Sequence, residues 1–472
     1  MHTRRLSFTQ TVKSRIVMSP HNAHGAGHGA LESTVLFGWD PMITATVVLC
    51  IAYVFIISEK IHRTVISLIG AGVMIMLGVM SQHTAVEGID FNTIFLLVGM
   101  MAIVGITKRS GVFQYVAILT AKQVKGNPAS LLAGLAVITA VFSALLDNVT
   151  TVMLIVPVTL LLTDQLKLPA YPFLFSQIFA SNVGGMATLI GDPPNILIGS
   201  AVGFSFMDFV YNTGPASLII MVALLTLFHV IWGRNFNVSM RLRARLMHFE
   251  PSEALTDKAL LIKSAGVMAL VLFGFVYGHG HGIEPGTVAL TGAALLMLLD
   301  TVGMKAEEQS HKVHEALSTV EWDTIFFFIG LFMLVYGVEQ AGLLALLGQK
   351  LLAFTQGDIA FTALLILWSS AVFSAIVDNI PFVATMIPLI ASVEGDLGGP
   401  AAIEPIWWAL SLGACLGGNG SLIGASANVM VASFAERAGQ RISFMTFLKT
   451  GFPLMLLTIA MAHAYMLLAY DL

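Results

Sequence analysis

The chain has 472 residues, 57% of them hydrophobic and 11% charged, with a mean hydropathy of +0.86. Such values exclude a water-soluble globule and specify an integral membrane protein. A net charge of −4 without a long run of one sign leaves no footprint for nucleic acid, and two cysteines in opposite halves, Cys50 and Cys415, argue against a disulfide or a multi-cysteine metal site.

Residues 1–38 form a polar tail in which Arg4, Arg5, Lys13 and Arg15 precede the stretch HNAHGAGHG. No apolar core of the signal-peptide kind follows, so no cleaved leader is expected, and the histidines read as part of a tail rather than a metal site. Residues 39–233 carry apolar spans near 41–57, 64–80, 93–107, an interrupted span over 171–201, and 214–233. About 20 residues cross a ~30 Å hydrocarbon core as a helix, and helices satisfy their own backbone in lipid. A short segment at 112–121, flanked by Lys108, Arg109, Lys122 and Lys125, is expected to lie along the cytoplasmic face. Residues 129–163, with Asp147 at the middle, read as a hairpin that enters and leaves on one side, because irregular backbone at depth survives only inside protein or beside water.

Residues 234–260 form a polar linker containing Arg241, Arg243 and Arg245, expected on the cytoplasmic side. Residues 261–472 repeat the plan, with spans near 261–277, 286–301, 323–337, 404–433 and 449–469 and a second hairpin over 360–391. The repeat is visible in the letters. TIFLLVGM from Thr93 matches TIFFFIGL from Thr324, and FSALLDNVTTVMLIVP from Phe142 matches FSAIVDNIPFVATMIP from Phe373, both at an offset of 231. TLIGDPPN from Thr188 meets SLIGASAN from Ser421 at 233. Five crossings per half make the second half inverted, an all-α polytopic fold of two inverted-topology repeats, each with a re-entrant hairpin and a discontinuous helix. The same count places both termini outside, against the pull of the basic tail.

An ionisable residue near the bilayer centre costs ~2.5–3.5 kcal/mol on insertion scales, so an aspartate at the same place in both repeats points to function. Asp147, Asn148, Thr150 and Thr151 at one tip, and Asp378 and Asn379 at the other, offer oxygen donors suited to sodium or a proton. Removal from water disfavours a bare carboxylate, so Asp147 and Asp378 are the candidates for proton coupling. The competing role is plain capping of the return arm, since Asp and Asn are both favoured N-caps. In SNVGGMATLIGDPPNILIG, from Ser181, the adjacent Pro193 and Pro194 interrupt the span and leave Asn182, Thr188, Asp192 and Asn195 beside freed backbone groups. In GACLGGNGSLIGASANVM, from Gly413, glycines do the breaking around Asn419, Ser421 and Asn428, and Ala425 stands where the first half has Asp192. Cys415 reads as a small packing residue.

From about residue 40 onward the blocks SALLDNVTT, GGMATLIGDPPN, SAIVDNIPFVATMIP and GACLGGNGSLIGASANV resemble the P-protein and arsenite-permease branch of the ion transporter superfamily, related to NhaD-type sodium/proton antiporters. The resemblance implies a homodimer in the cell membrane, an elevator-like motion, a site at the tips and broken helices, and possible assistance from a cytosolic ATPase subunit. It implies no cofactor, only a proton or sodium as coupling ion. Because the four blocks hold no Lys or Arg, a neutral or cationic small inorganic solute fits better than a dicarboxylate or phosphate. Proton-coupled efflux of arsenite or antimonite is therefore the preferred expectation and sodium/proton antiport the alternative. A membrane metalloprotease lacks its H-E-x-x-H string, and a channel does not need paired broken helices. Asp147→Asn or Asp378→Asn should abolish coupled transport in reconstituted vesicles while insertion, followed by membrane yield, is retained.

Overall fold

The computed structural model describes residues 35–58 and 60–472; most of the expected N-terminal tail lies outside them. The chain is all helical. The first half runs through α1 (Pro41–Ser58), α2 (Arg63–Met76), α3 (Gln82–Glu87), α4 (Phe91–Lys108), α5 (Val112–Gln123), α6 (Pro128–Leu145), α7 (Asn148–Leu166), α8 (Tyr171–Gly185), α9 (Pro193–Val202), α10 (Phe206–Asn212) and α11 (Gly214–Ile231). After α12 (Met240–Met247) the second half runs through α13 (Lys258–Gly278), α14 (Pro285–Thr301), α15 (Ala306–Ser318), α16 (Trp322–Gln340), α17 (Leu343–Thr355), α18 (Ile359–Ile376), α19 (Asn379–Ser392), α20 (Glu404–Gly417), α21 (Ser426–Arg437) and α22 (Phe444–Tyr470). Among the described residues, nine helices are long and apolar enough to cross a bilayer, and α2, α14, α17 and α19 are shorter apolar helices.

Local chemistry sets the boundaries. Asn127 accepts from the backbone N–H groups of Ala129 and Ser130 and so caps α6, with Pro128 in the first turn, where its missing N–H costs nothing. Gly111 and Gly342, repeat mates, open α5 and α17 with φ of 79° and 86°, a left-handed corner that a side chain would strain. Pro193 and Pro194 do not sit in the break between α8 and α9; they form the first turn of α9, and residues 186–192 are the break. A proline inside a helix removes a ladder donor, yet α7 and α19 continue through Pro157 and Pro388 without ending. Helices α3, α10, α12, α15 and α17 had no place among the expected spans, because each is too short or too polar to register as a crossing.

Packing divides the helices into two sets, and each set is built across the halves. In the first, α2 packs on α16 and α4 on α14, so that elements corresponding in order exchange partners between halves. In the second, α6 packs on α8 and α18 on α20 within each half, while α7 packs on α21 and α9 on α19 across them. Matching hydrogen bonds brace the second set. Ser143 donates to the Ser181 carbonyl at 2.6 Å and Ser374 to the Ala414 carbonyl at 2.7 Å. Thr188 and Ser421 donate to the Ala144 and Ala375 carbonyls, each at 2.6 Å.

These braces need backbone contact between helices, which small residues permit. A Cβ on Gly184 would lie 2.2 Å from the Ala140 carbonyl oxygen, and one on its mate Gly417 would lie 2.5 Å from that of Ala371. Gly184→Ala is expected to destabilise by about 1–3 kcal/mol through overpacking, read as a lower melting midpoint in detergent. Gly72→Ala, where nothing lies within 4 Å, should leave the midpoint unchanged or raise it.

Candidate solute and cation site

The site forms where the two corners α6–α7 and α18–α19 meet the two breaks α8–α9 and α20–α21. At the corners it is the aspartates that cap: Asp147 Oδ1 accepts from the Thr150 N–H at 2.7 Å, and Asp378 Oδ1 from the Ile380 N–H at 3.1 Å. Capping, open to either residue type from sequence, falls to the aspartates. Relieved of it, Asn148 and Asn379, first residues of the return arms, reach across to one atom. Asp192 Oδ1 accepts from Asn148 Nδ2 at 3.1 Å and from Asn379 Nδ2 at 3.4 Å.

At the breaks, two asparagines stitch the interrupted backbone. Asn195 Nδ2 donates to the Met186 and Thr188 carbonyls (3.1 and 2.9 Å), and its mate Asn428 Nδ2 donates to those of Gly418 and Ser421 (2.7 and 2.9 Å). The carbonyls of Met186, Thr188, Gly418 and Ser421, freed at the breaks, are therefore taken by side chains. Thr188 and Ser421, named from sequence as site residues, spend their hydroxyls on the braces described above. Asn182 is the hub: its Nδ2 donates to Asn419 Oδ1 and Asn428 Oδ1, both at 3.1 Å, and its Oδ1 accepts from Asn148 at 3.2 Å. Its repeat mate is Cys415, whose thiol lies 3.5 Å from Asn195 Oδ1, the acceptor also used by Ser411 at 2.6 Å.

Asp192, Asn182, Asn195, Asn419 and Asn428 are all 0% exposed. Two buried side-chain oxygens of this closed network, Asp192 Oδ2 and Asn148 Oδ1, have no hydrogen-bond partner, and neither has Thr151 Oγ1, one turn along α7 from Asn148. A buried oxygen left unpaired is costly, so a group of them beside a carboxylate is suited to a small cation or proton donor. A gap of about 30 Å³ lies there, bordered by Asp147, Asn148, Asp192 and Asn379, room for one ion or water. Thr150 contributes its backbone N–H to the cap. The site residues named from sequence thus converge around Asp192, with Thr188 and Ser421 one layer back.

Beside the gap opens a cavity of about 590 Å³ lined by residues the sequence had not singled out, among them Arg63, Glu321, Asp323 and Arg437. Arg63 Nη1 sits 2.7 Å from Asp378 Oδ2 and 2.8 Å from Ser426 Oγ, with its guanidinium over the Phe327 ring at 4.9 Å. The four blocks hold no Lys or Arg, but the fold brings Arg63, from outside them, against the second tip. Arg63 and Glu321 fall at helix starts, where sequence alone reads a charge as ordinary interfacial polarity. Across cavity and gap, five carboxylates (Asp147, Asp192, Glu321, Asp323 and Asp378) still face only two guanidiniums. The acidic tips are consequently unequal: Asp378 has a cation partner, whereas Asp147, 8% exposed, forms no ion pair among the described residues.

The profile of the citrate transporter family, CitMHS, matches residues 53–413, from α1 through most of α20. The chain belongs to that family. An uncharacterized transporter of Mycobacterium bovis is 42% identical over 432 residues, covering 91% of this chain and 98% of the relative. The human P protein is 31% identical over 550 residues, covering 99% of this chain and 63% of its own length, so the kinship with P proteins read from the motifs holds within CitMHS. The fold resembles that of the Alcanivorax borkumensis YdaH transporter, with a TM-score of 0.57 at 13% identity over 92% of this chain and 99% of that one. This CitMHS member is a multi-pass secondary transporter and not an enzyme.

Asn182→Ala removes the donor for both Asn419 and Asn428 and an acceptor of Asn148. Each orphaned group is expected to cost about 1–3 kcal/mol, so the melting midpoint should fall further than for Asn419→Ala, which breaks one of these bonds.

Proposed function

We propose that the protein is a cation-coupled exchanger in which one proton or sodium ion binds at Asp192, Asn148 and Thr151, and that sodium/proton antiport is the reading its geometry favours. The observation that carries it is the pair of unpartnered buried oxygens, Asp192 Oδ2 and Asn148 Oδ1, on residues that border an ion-sized gap, with the unpartnered Thr151 hydroxyl one turn along α7. An all-oxygen donor set around a carboxylate suits a hard cation, and the surrounding asparagine amides fix it without adding charge. The excess of carboxylates over guanidiniums across the cavity favours a cationic or neutral solute and disfavours a free citrate trianion, the solute in the family's description.

In this reading the halves are inverted repeats with re-entrant tips, and the helix set carrying the tips and breaks shifts against the other set in an elevator-like cycle. Both repeats then contribute to one pocket that faces the two sides in turn. Proton-coupled efflux of arsenite or antimonite is the second reading. Trivalent arsenic is a neutral trihydroxide that amide and hydroxyl groups can hold, and Cys415, buried beside Asn195, supplies one sulfur.

Proteoliposomes loaded with sodium or arsenite and given a pH gradient separate these readings directly. Sodium flux driven by the gradient is expected, with Asp192→Asn lowering it at least about tenfold because a charged ligand is lost. Wild-type coupled flux in Asp192→Asn would remove the proposed cation site, and gradient-driven arsenite flux without sodium flux would transfer the conclusion to the second reading.

A further inference from the structure

Two contacts tie the α2–α16 helix set to the second acidic tip. Arg63, the first residue of α2, holds Asp378, and Tyr53 of α1 donates its hydroxyl to the Pro381 carbonyl at 2.8 Å, one turn into α19. Helix α2 packs chiefly on α16 and α1, and Phe327 beneath the guanidinium belongs to α16, so Arg63 is anchored away from the tip it neutralises. Asp378 and Ser426, its two oxygen partners, both belong to the set that carries the breaks. The repeat mate of Asp378, Asp147, makes no such contact, so nothing in the repeated fold itself requires the pair.

A displacement of one set against the other must part Arg63 from Asp378. The carboxylate, with 14% of its side chain exposed, would then stand without a cation in a site that also holds the carboxyl groups of Asp192, Glu321 and Asp323. Removing one partner of a largely buried ion pair is destabilising, because the other charge is left without water or a counter-charge. The other groups facing Asp378 across the cavity are His62 and Arg437, and His62 already lies 3.7 Å from Asp323.

We infer that Arg63 is a competing internal cation for Asp378: it latches the tip in the state described, and a proton or sodium ion must replace it at Asp378 before the tip-bearing set can move. The latch makes movement of the empty set costly and movement of the loaded set permissible, because Asp378 keeps one positive partner in either state while the guanidinium stays protonated over Phe327. The inference rests on the cation-coupled reading above and adds to it a second coupling point, distinct from Asp192, together with the residue that enforces it.

The experiment measures distances by double electron–electron resonance between spin labels at Ile283→Cys, before α14, and Phe361→Cys, on α18, in a Cys50→Ser background in nanodiscs. Both labelled positions are exposed. Sodium and protons are titrated as the two probes. The unsubstituted latch should give a distance distribution that shifts as either cation rises. Arg63→Gln should shift at about tenfold lower cation concentration, the equivalent of one charge-assisted contact. Asp378→Asn should no longer need a cation at the tip, and because both changes remove one ion pair, the double variant should match Asp378→Asn rather than sum the two. Arg63→Met, uncharged and of similar length, provides the same comparison if Arg63→Gln does not fold, whereas Arg63→Lys, which keeps a cation, should titrate near the unsubstituted protein. An Arg63→Gln titration identical to that of the unsubstituted protein, or additive effects of the two changes, would overturn the latch while leaving cation coupling in place. A distribution in the unsubstituted protein that ignores both cations would instead overturn the cation-coupled reading and the latch with it.

Discussion

The buried carboxylate of Asp192 organises the centre of this protein. One of its oxygens accepts amide protons from both return arms, so a single atom ties the α6–α7 corner to the α18–α19 corner through a residue at the α8–α9 break. A carboxylate with no exposure in a membrane protein is tolerable only if hydrogen bonds or a counter-charge replace water. Here amides from two halves supply part of that replacement and leave the other oxygen open. The ordered breaks in the helices, the capped corners and the glycine contacts all serve to bring those amides within reach.

Around that centre the two halves are alike in scaffold and unlike in chemistry. Asn195 and Asn428 stitch their breaks in the same way, and the serine and threonine braces recur at matching positions. Asp192 faces Ala425 across the repeat, Asn182 faces Cys415, and a guanidinium covers only one of the two acidic tips. A duplicated scaffold gives two congruent loops that can meet; divergence at three or four positions then concentrates negative charge on one side and a fixed positive charge on the other. In the proposed cycle, that asymmetry is what would let one pocket distinguish an ion-loaded from an empty condition.

Hydropathy and repetition made the apolar helices and both interruptions legible, because length in lipid and loss of backbone donors are properties of short stretches. The asparagines at the tips and breaks were legible for the same reason, as polar residues in apolar text. Their division of labour was not. Whether Asp147 or Asn148 caps a helix depends on a backbone corner of one or two residues, and both types cap well. Thr188 and Ser421 looked like ligands in sequence because a hydroxyl bonded to a neighbouring helix leaves no mark on its own segment.

The sequence by itself determined that this chain lives in a membrane, that it is built twice, and that polar residues recur in each copy where the helices are interrupted, since hydrophobic length and internal repetition are carried by consecutive residues. Only the tertiary structure decided which of those residues meet, that Asp192 is the shared acceptor, and that Arg63, 315 positions from Asp378, lies against it. Contacts between distant segments depend on how helices cross and which faces they bury, and no local pattern of letters encodes that pairing.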